Sequence, residues 1–115
     1  MIDIRFHRSR SGRIHGFIVT GHAESAPRGK DIVCAGVSAL AQTAPNALET
    51  VARVRPIVCA EDDGYLSVEL PNGMTRRQRR DADIVLRTVE QGIRDIAATY
   101  AQHITIHYYF KKEGQ

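Results

Sequence analysis

A histidine and a cysteine twelve residues apart are the side chains of this chain best suited to chemistry. His22 follows Gly21 in a Gly-His-Ala sequence, and Cys34 closes the block Asp31-Ile32-Val33-Cys34. An ionised thiol is a nucleophile, and an imidazole within hydrogen-bonding distance can take up its proton. The pair therefore indicates nucleophilic catalysis, provided that the loop between the two residues brings their side chains together.

The position of Cys34 in a helix bears on its reactivity. Asp31 is a favoured N-cap residue, which predicts a helix from Ile32 with Cys34 in its first turn. Free backbone N–H groups and the positive end of the helix dipole favour a thiolate there, and the same N–H groups suit an oxyanion hole. The alternative interpretation of Cys34 is a buried, unreactive side chain on the apolar face of the helix.

Two polar residues near Cys34 each have two interpretations. The negative charge of Asp31 opposes a neighbouring thiolate, so Asp31 either caps the helix or orients His22 and holds its ring positive. Ser38 lies one helical turn after Cys34 on the same face. Its hydroxyl either contacts the substrate or the active-site loop, or donates back to the carbonyl of residue 34.

Hydrophobic periodicity predicts the elements that position these residues. In chain order they are strands over 2–7 and 14–20, a helix over 32–53, strands over 57–60 and 65–70, a helix over 75–99 and a strand over 104–110. The order ββαββαβ predicts an α+β fold, with a five-stranded mixed or antiparallel sheet that carries both amphipathic helices on one face. Apolar positions on the second face, such as Phe17, Val19 and Tyr109, make a homodimer plausible.

One domain is expected over residues 1–115, with an ordered core over about 2–110. Residues 22–32, with Pro27 and Gly29, have the composition of a mobile active-site loop, which predicts a His22–Cys34 pair that aligns only when a peptide binds. Pro45 predicts a kink or a restart within the first helix, because proline lacks an amide donor and clashes with the preceding turn.

Composition excludes several classes of protein. The 115 residues are 43% hydrophobic and carry a net charge of +3, and no apolar run reaches the roughly 20 residues of a membrane helix. The N-terminus lacks the pattern of a secretion signal, so a cytoplasmic location is expected. Cys34 and Cys59 are expected as two free thiols, and no motif indicates a metal or a cofactor.

The His and Cys blocks, together with the late helix, resemble the ribosomal-processing cysteine protease family, Prp. The resemblance extends over about residues 2–108 and is carried by residues 21–23, 31–35, 37–40 and 92–100. Members of that family are homodimeric endopeptidases that remove the N-terminal extension of large ribosomal subunit protein twenty-seven. The resemblance implies Cys34 as the nucleophile, through a thioester acyl-enzyme, and His22 as the general base. It also places Asp31 in the site and matches Ser38 to the motif serine.

A dense run of positive charge begins the second helix, where it opposes the helix dipole. It comprises Arg76, Arg77, Arg79 and Arg80. The run either contacts ribosomal RNA or is a solvated surface segment that Asp81 and Asp83 partly offset. A non-catalytic ribosome- or RNA-associated protein that uses this cluster is therefore the alternative function, although no aromatic-rich strand suited to base stacking supports it.

Overall fold

Seven elements follow one another in the predicted order in the computed structural model, which describes residues 1–21, 28–61 and 64–110, without the side chains of residues 28–31. They are β1 (Ile2–Arg8), β2 (Ile14–Thr20), α1 (Arg28–Thr50), β3 (Ile57–Glu61), β4 (Tyr65–Glu69), α2 (Arg76–Thr99) and β5 (Ile104–Phe110). The order ββαββαβ is confirmed.

The five strands form one mixed sheet in the order β3-β4-β2-β1-β5. β1 pairs with β2 as an antiparallel hairpin, β3 pairs with β4 in the same way, and β2 joins the two hairpins by pairing with β4. The last strand, β5, returns from α2 to lie parallel to β1. A single parallel pair therefore decides between the two predicted sheet types, and the sheet is mixed.

The core lies between the two helices and one face of the sheet. Its largest fully buried side chains from the strands are Phe6, Phe17, Ile4, Ile14 and Val68, and those from the helices are Leu48, Leu86, Ile93, Val33 and Val37. Each such side chain stabilises the fold by roughly 1.5–3 kcal/mol through the apolar area that it removes from water. Both helices thus bury an apolar face, as predicted. The first helix is shorter than the predicted range 32–53 at its end, because α1 ends at Thr50 and Val51 is exposed.

The other face of the sheet is polar. The ring of His7 contacts the Glu69 carboxylate at 2.8 Å, and His107 Nε2 lies 2.9 Å from Asp3 Oδ1. Arg5 Nε donates to the other oxygen of Asp3. The two faces therefore differ sharply in polarity, and this difference fixes which face the helices cover.

A β-bulge in β2 corrects the prediction that Phe17 and Val19 lie on the second face. His7 pairs with Gly16 and Arg8 pairs with Ile14, so His15 is an extra residue in β2. The extra residue changes the alternation, and Phe17 and Val19 therefore point into the core, where they are 0% and 9% exposed. Of the three residues predicted on the second face, only Tyr109 is exposed there, at 46%.

Two glycines bring α1 and α2 into close contact. A Cβ added to Gly36 of α1 would lie 3.1 Å from Ile96 Cδ1 of α2, and one added to Gly92 of α2 would lie 2.9 Å from Leu40 Cδ1 of α1. Each glycine thus accepts a side chain of the other helix. The absence of side chains at these two positions allows the helices to pack closely.

The end of α1 and the start of α2 are connected. Arg53 has a left-handed backbone (φ 59°), and the Val54 N–H donates to the Leu48 carbonyl at 2.8 Å, which closes α1. Thr75 and Gln78 form a capping box at the start of α2. Gln78 Nε2 also donates to the Arg53 carbonyl at 2.8 Å, so one glutamine stabilises both helix ends.

Pro45 lies inside α1, and the helix continues from Arg28 to Thr50 without the restart that proline predicts. Proline removes one backbone hydrogen bond, whereas Ala41, Ala44 and Leu48 on either side of it are buried in the core. Packing of the flanking turns therefore outweighs the single lost bond.

A partly buried ion pair joins β1 to α2 beneath the edge strand β5. The Arg8 guanidinium hydrogen-bonds the Glu90 carboxylate, whose side chain is only 7% exposed. The same guanidinium lies 4.9 Å from the ring centroid of Tyr108, which stacks on Phe6 at 5.7 Å. Burial raises the pKa of the Tyr108 hydroxyl above its usual value, and a hydrogen bond to Glu90 raises it further.

Replacing Tyr108 by phenylalanine is expected to flatten the loss of stability at alkaline pH. The folded state holds the Tyr108 proton more tightly than the unfolded chain does, so its contribution is fully present below the unfolded pKa of about 10 and is lost as the pH rises through the folded pKa. Urea unfolding at several pH values between about 8 and 11 measures the effect. A slope for Tyr108→Phe as steep as that of the wild type would contradict this account.

Candidate active site

Cys34 lies on α1 at the boundary between core and solvent. It is half-buried and packs against the core, while Val33 and Val37 beside it are fully buried. Ile32 on its other side is 63% exposed, and Ser38 one turn further on is also exposed. A helical side chain leans toward the N-terminus of its helix, so the thiol projects over the turn before it. The placement differs from that of a cysteine sealed inside the core.

The start of α1 corrects the prediction made from Asp31. The helix begins at Arg28, not at Ile32, so residues 28–32 are helical although the sequence assigns them to the loop. Asp31 lies in the first turn and is not the N-cap, and Cys34 belongs to the second turn. Arg28 and Lys30 are good helix formers, and a single favourable cap residue does not prevent a helix from starting earlier.

Because α1 begins at Arg28, the backbone N–H of Cys34 is not available for the predicted oxyanion hole. Only the first four N–H groups of a helix lack a partner within it, and in α1 these belong to residues 28–31. The Cys34 amide is used by the helix itself. Of the two interpretations of Asp31, capping is therefore wrong, and orientation of His22 stays a prediction.

Gly21 is suited to direct the chain out of β2 toward the site. Its φ is +81°, a left-handed conformation that side chains other than glycine rarely adopt. A Cβ at this position would lie 2.5 Å from the carbonyl oxygen of Met1. Both constraints require glycine immediately before His22. His22 itself, with residues 23–27, lies outside the described residues, so the distance from its ring to the Cys34 thiol stays a prediction.

Sequence reasoning missed Gly36 and Gly92 as positioning residues, although they hold the helix that carries Cys34 against α2. The sequence did contain a signal for both residues. A glycine inside a helical pattern lowers the stability of the helix, so it indicates a place where another element packs closely.

No disulfide joins Cys34 and Cys59, in agreement with the expectation of two thiols. Within residues 1–21, 28–61 and 64–110, no three His, Cys, Asp or Glu side chains are grouped so that they can hold a metal ion. No helix in the same ranges is long and apolar enough to cross a membrane.

Comparison with known proteins identifies the cysteine protease Prp family. The family model for cysteine protease Prp matches residues 1–105. The ribosomal processing cysteine protease Prp of Bacillus subtilis is 32% identical over 107 residues, which cover 92% of this chain and 96% of that protein. The protein of the same name from Staphylococcus aureus is 29% identical over 112 residues, covering 94% of this chain and 99% of its own length.

Solved structures agree with the sequence comparison. A Streptococcus mutans protein superimposes with a TM-score of 0.85 at 29% identity, covering 96% of each chain. The essential ribosomal processing protease Prp of S. aureus superimposes with TM-scores of 0.80 in complex with a covalently linked product peptide and 0.81 in complex with a substrate peptide, at 27% and 26% identity. Each of these two covers 94% of this chain and 99% of the S. aureus chain.

Gly21→Ala is expected to destabilise the fold and to lower peptide cleavage, because the new methyl group collides with the Met1 carbonyl and displaces the chain that leads to His22. Gly73→Ala is the matched control, since Gly73 has φ +80° and no heavy atom within 4 Å of an added Cβ. Both variants carry the left-handed strain of about 1 kcal/mol, and only Gly21→Ala carries the collision. Urea unfolding and kcat/KM measure the difference, and equal losses in the two variants would contradict the role of Gly21.

Proposed function

Since the chain belongs to the Prp family of ribosomal-processing cysteine proteases, we propose that it removes the N-terminal extension of large ribosomal subunit protein twenty-seven. The chain is a cysteine protease, and the proposal concerns its substrate and the residues that act. The observation that carries it is the half-buried thiol of Cys34 on α1, within a stretch that matches the family model over residues 1–105. The S. aureus relative in complex with a substrate peptide supports a peptide as the ligand.

In the proposed reaction, Cys34 and His22 act as a dyad. His22 takes the proton of the thiol, and the thiolate attacks the carbonyl carbon of the scissile peptide bond. The tetrahedral intermediate collapses as the C–N bond breaks, and the imidazolium donates its proton to the departing amine. A thioester joins the N-terminal extension to Cys34. Water, deprotonated by His22, then hydrolyses this thioester, releases the extension as a carboxylate and restores the thiol.

Asp31 and Ser38 are proposed as supporting residues. With capping excluded, Asp31 is assigned to orient His22 and to stabilise the imidazolium that forms when the thiol loses its proton. Ser38 lies one turn after Cys34 and is exposed, which supports a contact with the substrate or with the loop that carries His22. Gly21 completes the set, because its backbone conformation sets the direction in which the chain continues to His22.

A homodimer is part of the proposal, although Phe17 and Val19 do not support it. Its support comes from the sheet edge, where all five residues of β3 are exposed and Ile57 and Val58 are 63% and 46% accessible. An apolar edge strand with unpaired backbone groups is suited to pairing with a second chain. Sedimentation equilibrium of the purified protein tests this oligomeric state.

The alternative function, a non-catalytic RNA-associated protein, is not adopted, because the chain belongs to a cysteine protease family. Contact with ribosomal RNA through Arg76, Arg77, Arg79 and Arg80 remains compatible with proteolysis and is proposed beside it. A cytoplasmic location is proposed as well, because ribosomal proteins are made and assembled in that compartment.

Cys34→Ala is expected to abolish cleavage of the extended ribosomal protein, with kcat/KM lowered by about 10³-fold or more, because the acyl-enzyme cannot form. Cys59→Ala is the matched control, since Cys59 is an exposed thiol on β3 and should keep wild-type activity. Gel analysis of the shortened product, with mass spectrometry of its new N-terminus, measures the reaction.

His22→Ala is expected to reduce the rate to a similar extent, because the thiol then lacks its proton acceptor. Wild-type cleavage by either Cys34→Ala or His22→Ala would contradict the dyad. Cleavage of another peptide, with the extended ribosomal protein left intact, would contradict the proposed substrate while leaving the dyad in place.

A further inference from the structure

Five arginines line one open groove beside the start of α2. Its volume is about 770 Å³, and its lining consists of Arg13, Arg76, Arg77, Arg79 and Arg80. Four of these belong to the cluster visible in the sequence, whereas Arg13 comes from the turn between β1 and β2. The groove therefore combines two segments that are more than sixty residues apart in the chain.

A carboxylate on α2 places Arg13 next to the other four arginines. The N–H of Ile14 donates to Asp83 Oδ1 at 3.0 Å, which ties the beginning of β2 to the second turn of α2. Gln78, the residue between the two arginine pairs, turns the other way and donates to the Arg53 carbonyl. The capping box thus leaves the four arginines on the side of α2 that faces the groove.

The positive charge of the groove is only partly neutralised. Arg77 and Arg80 lie 4.0 Å and 3.3 Å from Asp81, and their side chains are 83% and 63% exposed, so these contacts are weak. Among the described residues, no carboxylate lies within ion-pair distance of Arg13, Arg76 or Arg79. The first turn of α2 contains no acidic residue, and the helix dipole adds further positive potential there.

The composition of the lining identifies the kind of partner. Protein interfaces have apolar centres depleted of charge, and single-stranded nucleic acid is bound on aromatic side chains, yet this groove offers only guanidinium groups. Guanidinium forks bind phosphate oxygens in pairs. We propose that the groove binds the phosphodiester backbone of double-helical RNA without regard to sequence. The choice of RNA over DNA rests on the proposed function, whereas the binding itself does not need the cleavage reaction.

The test is the salt dependence of binding to a fluorescent RNA duplex of about 20 base pairs, measured by anisotropy. Neutralising five phosphates predicts that affinity falls roughly 500-fold between about 50 and 200 mM salt, whereas three phosphates predict a fall of only roughly 40-fold. Arg76→Gln combined with Arg79→Gln should therefore weaken binding at low salt and reduce the slope. Arg13→Gln should reduce the slope by about one phosphate.

The matched control is Arg55→Gln combined with Arg94→Gln, which removes the same charge from exposed arginines outside the groove. It should bind like the wild type, and an equal loss in this control would overturn the proposal in favour of diffuse attraction by net charge. Absence of binding at about 50 mM salt, or equal competition by polyglutamate of matched charge, would also overturn it. Cleavage of a short peptide by the same preparations confirms folding and reports on the protease separately.

Discussion

The contact between α1 and α2 is the constraint on which the position of the nucleophile depends. Cys34 is carried by α1, which approaches α2 closely at the glycines at positions 36 and 92. Each glycine removes a side chain where the other helix inserts one, so the two backbones approach closely. The half-buried state of the thiol follows from this spacing, because α1 lies close enough to bury Val33 and Val37 while Cys34 stays at the margin.

Much of the fold was predictable from the sequence because its periodic signals are strong. The order of the elements, the helix predicted over 75–99 and the strand predicted over 104–110 match the structure. The wrong predictions concern places where one residue determines the face of a strand or the start of a helix. The bulge at His15 leaves no mark in the pattern of apolar and polar residues, so the face of Phe17 was wrong. The start of α1 was wrong because one favourable cap residue, Asp31, is a weak signal compared with the preceding helix formers.

For the candidate site, the sequence indicates the reactive residues but not the surface that surrounds them. Residue type and spacing single out Cys34 and His22, since few side chains carry out this chemistry, and the comparisons with known proteins support the same family. The contribution of Arg13 to a charged groove was not predictable, because it depends on the bond between Ile14 and Asp83, which joins distant segments. Local patterns therefore identify reactive groups, whereas long-range contacts decide what surrounds them.

The extra residue in β2 has a consequence for how this chain tolerates changes in length. Ile14 and Phe17 are three residues apart, and both point into the core only because His15 is bulged out of the pairing. Deleting His15 would place them two residues apart, and strict alternation would then keep Ile14, Phe17 and Val19 on the core face. A deletion at the bulge is therefore compatible with the core, whereas losing or gaining one residue between Phe17 and Val19 would turn one of these two side chains toward water.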